Sequence, residues 1–208
     1  MTYPIAPPQM PFLPSHVQWS TEGPLFSSAE CDAIVRAGEA APQGFATIGN
    51  GDNQGGTLNL DYRCVKSCAL ERQMGGNDLT WMYERIASRV DGANRAYFRF
   101  DLTGLGEPVQ FLKYETTATP VPGHYLWHQD FGGGISSNRK LSMVVNLSDP
   151  ADYAGCRLQL MNERVWESAY INKGDAILFP SWTPHQVTLI ERGVRYALAI
   201  WIHGPQFR

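Results

Sequence analysis

His128-Gln129-Asp130 sets an imidazole and a carboxylate two positions apart, at the end of a run from Tyr125 to Asp130 that reads as a strand. Alternation along a strand sends positions two apart to one face, so the two side chains converge. Trp127 and Phe131 flank the pair and Tyr125 and Leu126 precede it, a core-like setting in which an unpaired carboxylate is costly and a metal would satisfy it. A second histidine, His185, follows after 54 intervening residues at the start of another strand-like run. Two histidines and one carboxylate form the facial set that leaves open positions on iron(II), and no cysteine stands beside them to make a thiolate zinc site. Ten residues beyond His185, Arg195 enters the apolar run Tyr196 to Trp201, where a guanidinium needs an anion. Taken singly, an H-x-D triplet fits a surface turn and a lone histidine fits a structural role. Together with an arginine able to fork onto a carboxylate deeper in the same pocket, they predict a bidentate oxo-acid cosubstrate.

Other groups read more simply. His124 stands four residues before His128, a spacing shared with zinc-binding helices, but Gly123 and Tyr125-Leu126-Trp127 argue for a strand and against a ligand role. His16 and His203 read as solvated or hydrogen-bonded. Tyr62 and Arg63 are suggested as substrate contacts, weighed against a solvated loop charge, and Trp201 is expected to pack below the cosubstrate. Cys31, Cys64, Cys68 and Cys156 are too few for a disulfide scaffold, and Cys64-x3-Cys68 lacks a second ligand pair, so reduced thiols are expected.

The elements that must position these residues are short. Strand-like segments recur near Tyr97 to Phe100, Val109 to Glu115, Tyr125 to Asp130, Leu141 to Leu147, Arg157 to Met161, Ala176 to Phe179, His185 to Leu189 and Arg195 to Ile202. No helix separates them, so the sheet should be antiparallel: mainly β with flanking helices (α+β), a double-stranded β-helix or jelly roll whose interior holds the ligand. Two helices precede the strands. Ser27 to Glu30 has capping-box spacing and opens a helix running to about Ala41 with Cys31, Ile34, Val35 and Gly38 on one face. A second, after Asn77-Asp78, carries Leu79, Met82, Ile86 and Val90 and should end at Gly92. Both would cover the outside of one sheet. The glycine-rich stretch from Pro42 to Leu60 reads as a mobile loop that could be a lid. One domain is expected over 1–208: an extended arm at 1–18, mainly helical support and the lid loop at 24–95, and a jelly-roll core at 96–203.

His128-x-Asp130, His185 and Arg195, within Lys173-Gly174-Asp175-Ala176-Ile177-Leu178-Phe179-Pro180, resemble the iron(II)/2-oxoglutarate oxygenases, in particular their prolyl 4-hydroxylase-like branch. The resemblance covers about Phe98 to Trp201. It implies Fe2+ held by His128, Asp130 and His185, 2-oxoglutarate as cosubstrate, O2, and ascorbate as a reductant. It further implies that Arg195, Tyr114 and Asn146 contact 2-oxoglutarate: Tyr114 matches a tyrosine on the strand before the H-x-D, and Asn146 the penultimate polar residue of the strand begun by Arg139. In this chain the distance from Tyr114 to His128 is longer than in the family, so Thr116 to Pro122 would be an insertion. Gly155-Cys156-Arg157-Leu158 stands where relatives often read Gly-Gly-Glu-Leu, and Ala197 where many have serine. The implied activity is hydroxylation of an unactivated C–H of a small molecule or an amino-acid or prolyl-type substrate, releasing succinate and CO2. An aspartate at 130, where related halogenases carry a small residue, favours hydroxylation.

Two other readings use the same residues. A cupin-type metal enzyme would share the barrel and the histidines without using 2-oxoglutarate, but it has no need of Arg195. A non-catalytic ligand-binding relative would not need an intact metal set. Composition narrows the field further. With 208 residues, 43% hydrophobic and 18% charged, and a formal charge of -3, the chain has material for one buried core and no basic surplus to draw it to nucleic acid or to an anionic membrane. It lacks an apolar leader or span, so a soluble, cytoplasmic protein is expected.

Overall fold

Ser27 and Glu30 close the capping box that their spacing predicts: the Ser27 N–H donates to Glu30 Oε2 at 2.8 Å and the Glu30 N–H to Ser27 Oγ at 3.3 Å. From there α1 runs over Ser28–Ala40 and buries Cys31, Ile34, Ala37 and Gly38. The structure is a computed structural model that describes residues 19–20, 24–49, 56–116, 121–162, 164–167 and 172–206. The expected arm at 1–18, the middle of the expected lid at 50–55 and most of the expected insertion after Thr116 lie outside the described residues. Helix α2 spans Thr80–Ala93 and buries Met82, Tyr83, Ile86 and Val90.

Eight strands carry the core: β1 (Lys66–Leu70), β2 (Val109–Glu115), β3 (His124–His128), β4 (Arg139–Asn146), β5 (Leu158–Asn162), β6 (Ala176–Pro180), β7 (His185–Val187) and β8 (Ile190–His203). The larger sheet has the order Trp19–Ser20, β6, β4, β8, β2, β1, Gly44–Phe45; the smaller has the order Arg164–Glu167, β5, β7, β3, Arg63–Cys64. Every pairing in both is antiparallel. The two sheets face each other as a jelly roll, the architecture expected from strands without intervening helices.

Alternation divides the larger sheet's side chains between two layers. Leu141, Met143 and Val145 on β4, Phe111 on β2 and Leu198, Ile200 and Ile202 on β8 face outward, where they pack with α1 and α2. Leu112, Tyr114, Ile177 and Ala197 face inward, toward Leu158, Leu160 and Val187 of the smaller sheet. These strands are therefore buried on both faces and read as continuous apolar runs. Tyr83 fastens α2 to the sheet, since its hydroxyl donates to Leu70 O at 2.6 Å and accepts from the Val109 N–H at 3.0 Å.

Two expectations fail. Tyr97 to Phe100 is not a strand: α2 passes Gly92 and runs on as a π-turn over Asn94–Phe98, ended by Arg99 at φ 56°. The cause is Asn94, whose side chain bonds both the N–H and the carbonyl of Phe100 at 2.9 Å, taking the groups a strand partner would use. Conversely, β1 and Arg63–Cys64 place strands of both sheets in a region read as helical support and loop.

Gly38 is where α1 meets the sheet, because a Cβ there would lie 2.6 Å from the Phe111 ring. Gly38→Val should lower stability by about 1–3 kcal/mol through overpacking, with ligand affinities retained in the folded fraction. Denaturant unfolding of the two proteins checks this, and equal stability would show that the helix can shift outward freely.

Candidate metal centre

Strand β3 ends at His128, and the chain bends there so that Asp130 turns back into the barrel beside His185, the first residue of β7. In register, His128 stands opposite His185. The potential ligand atoms of His128, Asp130 and His185 all lie within 4.8 Å of one another. His128 Nε2 is 3.8 Å from Asp130 Oδ1, and His185 Nε2 is 3.5 Å from Asp130 Oδ2. Each Nδ1 meets a backbone carbonyl, Leu126 O at 2.7 Å for His128 and Thr183 O at 2.9 Å for His185. A carbonyl only accepts, so both Nδ1 atoms carry a hydrogen, which leaves each Nε2, on the Asp130 side, as the atom free to ligate. Two imidazole nitrogens and a carboxylate aimed at one point fit a divalent metal such as iron(II).

The surroundings fix that geometry. Ser142 Oγ donates to Asp130 Oδ2 at 2.7 Å and lies 3.0 Å from Ser181 Oγ. Ser181 O accepts from the N–H groups of Asp130 and Phe131, and Gln129 Nε2 donates to Trp182 O at 2.6 Å, so the turns carrying the two ends of the ligand set are bonded to each other. Burial works against ionisation of Asp130, but His185, His128, the Ser142 hydroxyl and Arg139 outweigh it and hold the carboxyl below its usual range. Burial, with His185 adding to it, keeps His128 well below the usual imidazole range, hence neutral and able to ligate.

Inward from this point a narrow cavity of about 40 Å3 runs past the three residues to Tyr114, Leu158 and Arg195. Tyr114 and Arg195 are cross-strand partners on β2 and β8. Arg195 is 5% exposed, and no carboxylate among the described residues pairs with it. Its Nε donates to Asn146 Oδ1 at 3.2 Å, and Nη1 lies 3.9 Å from Cys156 Sγ, a thiol that burial pushes up to about 11. The Asn146 amide nitrogen is itself committed to Ser148 O at 2.8 Å. Asn146 thus orients the arginine. The Tyr114 hydroxyl has no protein partner among the described residues and borders the cavity.

Outward, a mouth of about 650 Å3 is bordered by Thr47 and Ile48 from the Pro42 to Leu60 stretch, by Tyr62, Arg63 and Trp201, and by Glu107 and Arg139. The sequence reading named Arg139 only as the start of a strand and missed Glu107. Arg139 forks onto Glu107 at 2.7 and 2.6 Å, lies 3.9 Å over the Trp201 ring, and donates to Asp130 O at 3.2 Å. His203 also meets Glu107, at 2.9 Å, while His124 bonds Pro122 O and Asp61 O and takes no part in the centre. The only sequence signal for the Glu107 pair is a charged residue opening an apolar strand, which does not name its partner.

A model of the 2OG-Fe(II) oxygenase superfamily matches residues 109–203. A PKHD-type hydroxylase of Paraburkholderia xenovorans (strain LB400) is 35% identical over 189 residues, covering 87% of this chain and 77% of that protein. Two solved structures share the fold at 16% identity. One is a Pseudomonas putida prolyl-4-hydroxylase, with TM-score 0.67 over 93% of this chain and 95% of that one. The other is a prolyl hydroxylase from Trichoplax adhaerens in complex with a hypoxia inducible factor peptide fragment, with TM-score 0.70 over 92% and 85%.

Two expected outcomes follow from the surroundings of Asp130. Ser142→Ala should weaken binding of manganese or zinc about 10-fold to 100-fold while the protein stays folded, as loss of an orienting hydrogen bond does elsewhere; calorimetric titration measures it, and unchanged affinity would show the serine to be idle. Burial alone would raise the carboxyl of Glu107, but Arg139 and His203 bring it below its usual range. A depressed carboxyl stabilises the fold above the unfolded-state pKa, roughly 4.3, and that contribution is lost as pH falls through the folded-state value. Glu107→Gln should therefore melt earlier than the parent at pH 7, with the gap closing toward acid. A gap that is constant with pH would sink the assignment.

Proposed function

Because this chain belongs to the 2OG-Fe(II) oxygenase superfamily and is a hydroxylase that uses ferrous iron and 2-oxoglutarate, we propose that His128, Asp130 and His185 hold the iron and Arg195 the distal carboxylate of 2-oxoglutarate. The single observation that carries the reading is a cavity with the candidate metal-ligand set at one end and, at the other, an arginine that has no carboxylate partner among the described residues. Iron bound there supplies activation of O2 coupled to decarboxylation of the oxo acid to succinate and CO2. The chain's own residues do the rest. The Nδ1 bonds of His128 and His185 keep both Nε2 atoms aimed at the metal, and Ser142 fixes the rotation of the Asp130 carboxylate. Asn146 holds the Arg195 guanidinium at the cavity, and Tyr114 offers its hydroxyl to the same carboxylate. Leu158, Val187, Ala197 and Ala199 leave room for an aliphatic chain and exclude water beside it.

The substrate enters from the mouth, opposite the oxo acid. The reading favours a small molecule or a peptide side chain of amino-acid or prolyl type; the peptide bound by the Trichoplax adhaerens enzyme supports the second. Among the described residues no helix is long and apolar enough to cross a membrane, and all four cysteines are free thiols, which suits the reducing cytoplasm. Ascorbate would serve to keep the metal ferrous.

Anaerobic addition of ferrous iron and 2-oxoglutarate should give a weak visible charge-transfer band, and His128→Ala, Asp130→Ala and His185→Ala should each abolish both band and turnover. A variant that keeps near-normal turnover would remove that residue from the ligand set. Arg195→Ala should raise the dissociation constant for 2-oxoglutarate at least about thirtyfold and leave metal affinity nearly unchanged, since losing one partner of a buried charge pair costs on the order of 2–5 kcal/mol. Arg195→Lys should fall between, keeping charge and losing the fork. If Arg195→Ala melts early yet binds 2-oxoglutarate normally, the arginine is structural.

A further inference from the structure

Arg63 comes from Arg63–Cys64, the short edge strand of the smaller sheet, and is 8% exposed. Its side chain borders both the mouth and the inner cavity beside the metal ligands. Nη1 donates to Thr47 O at 2.8 Å, Nη2 donates to Gln110 Oε1 at 3.0 Å, and buried Nε has no partner among the described residues. The plane lies 4.5 Å from the centroid of the Tyr125 ring, which stacks on the His128 imidazole at 3.4 Å. One aromatic ring therefore separates this guanidinium from a metal ligand.

A charge ledger over the described residues of the site isolates it. In the loaded enzyme a divalent metal is balanced by Asp130 and the 1-carboxylate of the oxo acid, and Arg195 by the distal carboxylate. At the mouth Glu107 is balanced by Arg139. Tyr125 is a phenol, uncharged at neutral pH. Arg63 remains as one positive charge with only neutral acceptors, in a largely enclosed place where an unbalanced charge is costly. Beside it the amide nitrogen of Gln110, whose oxygen is taken by Arg63, has no protein partner among the described residues and borders the mouth.

Resting on the reading above, we propose that the substrate carries a carboxylate, which docks on Arg63 and Gln110 and presents to the metal a C–H one ring's width away. The carboxylate could be a main-chain terminus or an acidic side chain; the shared chemistry is a planar anion matched to a guanidinium. Neutral terpene-like or purely apolar substrates do not fit.

The test uses protein loaded with zinc and 2-oxoglutarate, which does not turn over, and saturation-transfer NMR with matched probes. The probes are benzoate and benzamide, N-acetylproline and its amide, and a short amidated peptide with aspartate or asparagine. Each acid should bind at least about tenfold tighter than its amide. Arg63→Met should remove the preference, and Arg63→Lys, which keeps the charge should the methionine variant fold poorly, should retain part of it. The acetylproline and aspartate arms separate the two sources of the carboxylate. Equal binding of acids and amides, or a preference that survives Arg63→Met, overturns the proposal. If 2-oxoglutarate itself shows no saturation transfer before any probe is added, the fault lies in the assignment of the cosubstrate site, and the proposal falls with it.

Discussion

A buried carboxylate between two imidazoles is the constraint around which the rest of this molecule is arranged. Asp130 is ionised because His128, His185, Ser142 and Arg139 outweigh its burial, and an ionised group in that position is tolerated only where every lone pair has a donor or a cation. The protein supplies one donor directly, Ser142, and sets beside it two imidazoles that complete a group of a kind that can hold a metal ion. Everything that fixes the three residues then acts on the turns that bear them. The Ser181 carbonyl takes two N–H groups from the Asp130 turn, Gln129 reaches Trp182, and Arg139 clasps the Asp130 carbonyl while being clamped by Glu107.

The same logic explains how the sheet is loaded. A strand buried on both faces gives one face to packing and the other to function, and β4 and β8 do this residue by residue. On β4, Leu141, Met143 and Val145 hold the helices, while Ser142 and Asn146 reach Asp130 and Arg195. On β8, Leu198, Ile200 and Ile202 hold the helices, while Arg195 and Trp201 border the cavities. The helical layer is thus what keeps the functional face rigid, and Gly38, which lets α1 lie against Phe111, sets the distance between them.

The centre was legible because its chemistry is carried by residue types that are rare in such settings. An H-x-D at a strand end and an arginine entering an apolar strand each need a partner, and the sequence offers the partners at plausible spacings. The strands and the capping box were legible for a related reason: alternation and capping are local. What stayed hidden depends on long-range pairing. Glu107 and Arg139 stand 32 residues apart and meet only through the sheet. Tyr97, Phe98 and Phe100 have the composition of a strand, yet the Asn94 side chain satisfies the Phe100 backbone and the chain turns instead. From sequence Arg63 reads as a suggested substrate contact, weighed against a solvated loop charge, and its burial stayed hidden because the two-residue strand that bears it has no internal alternation to show.

Arg195 and Asp130 are opposite charges bordering one cavity, and the fold keeps them from pairing with each other. Arg195 faces Asn146 and the Cys156 thiol, and Asp130 faces Ser142 and the two imidazoles. Collapse into an ion pair would relieve the desolvation of both and close the site. The strands prevent it by placing Asp130 on the turn that joins the smaller sheet and Arg195 well along a central strand of the larger one. The cost falls on the unliganded protein, whose net stability is of the usual marginal size, on the order of 5–15 kcal/mol. The helix-backed core tolerates it, and ligands that neutralise both charges return the difference as stability in proportion to their occupancy. The fold holds the two charges apart, and on the proposed assignment a metal and an oxo acid, and not the protein, complete the pairing.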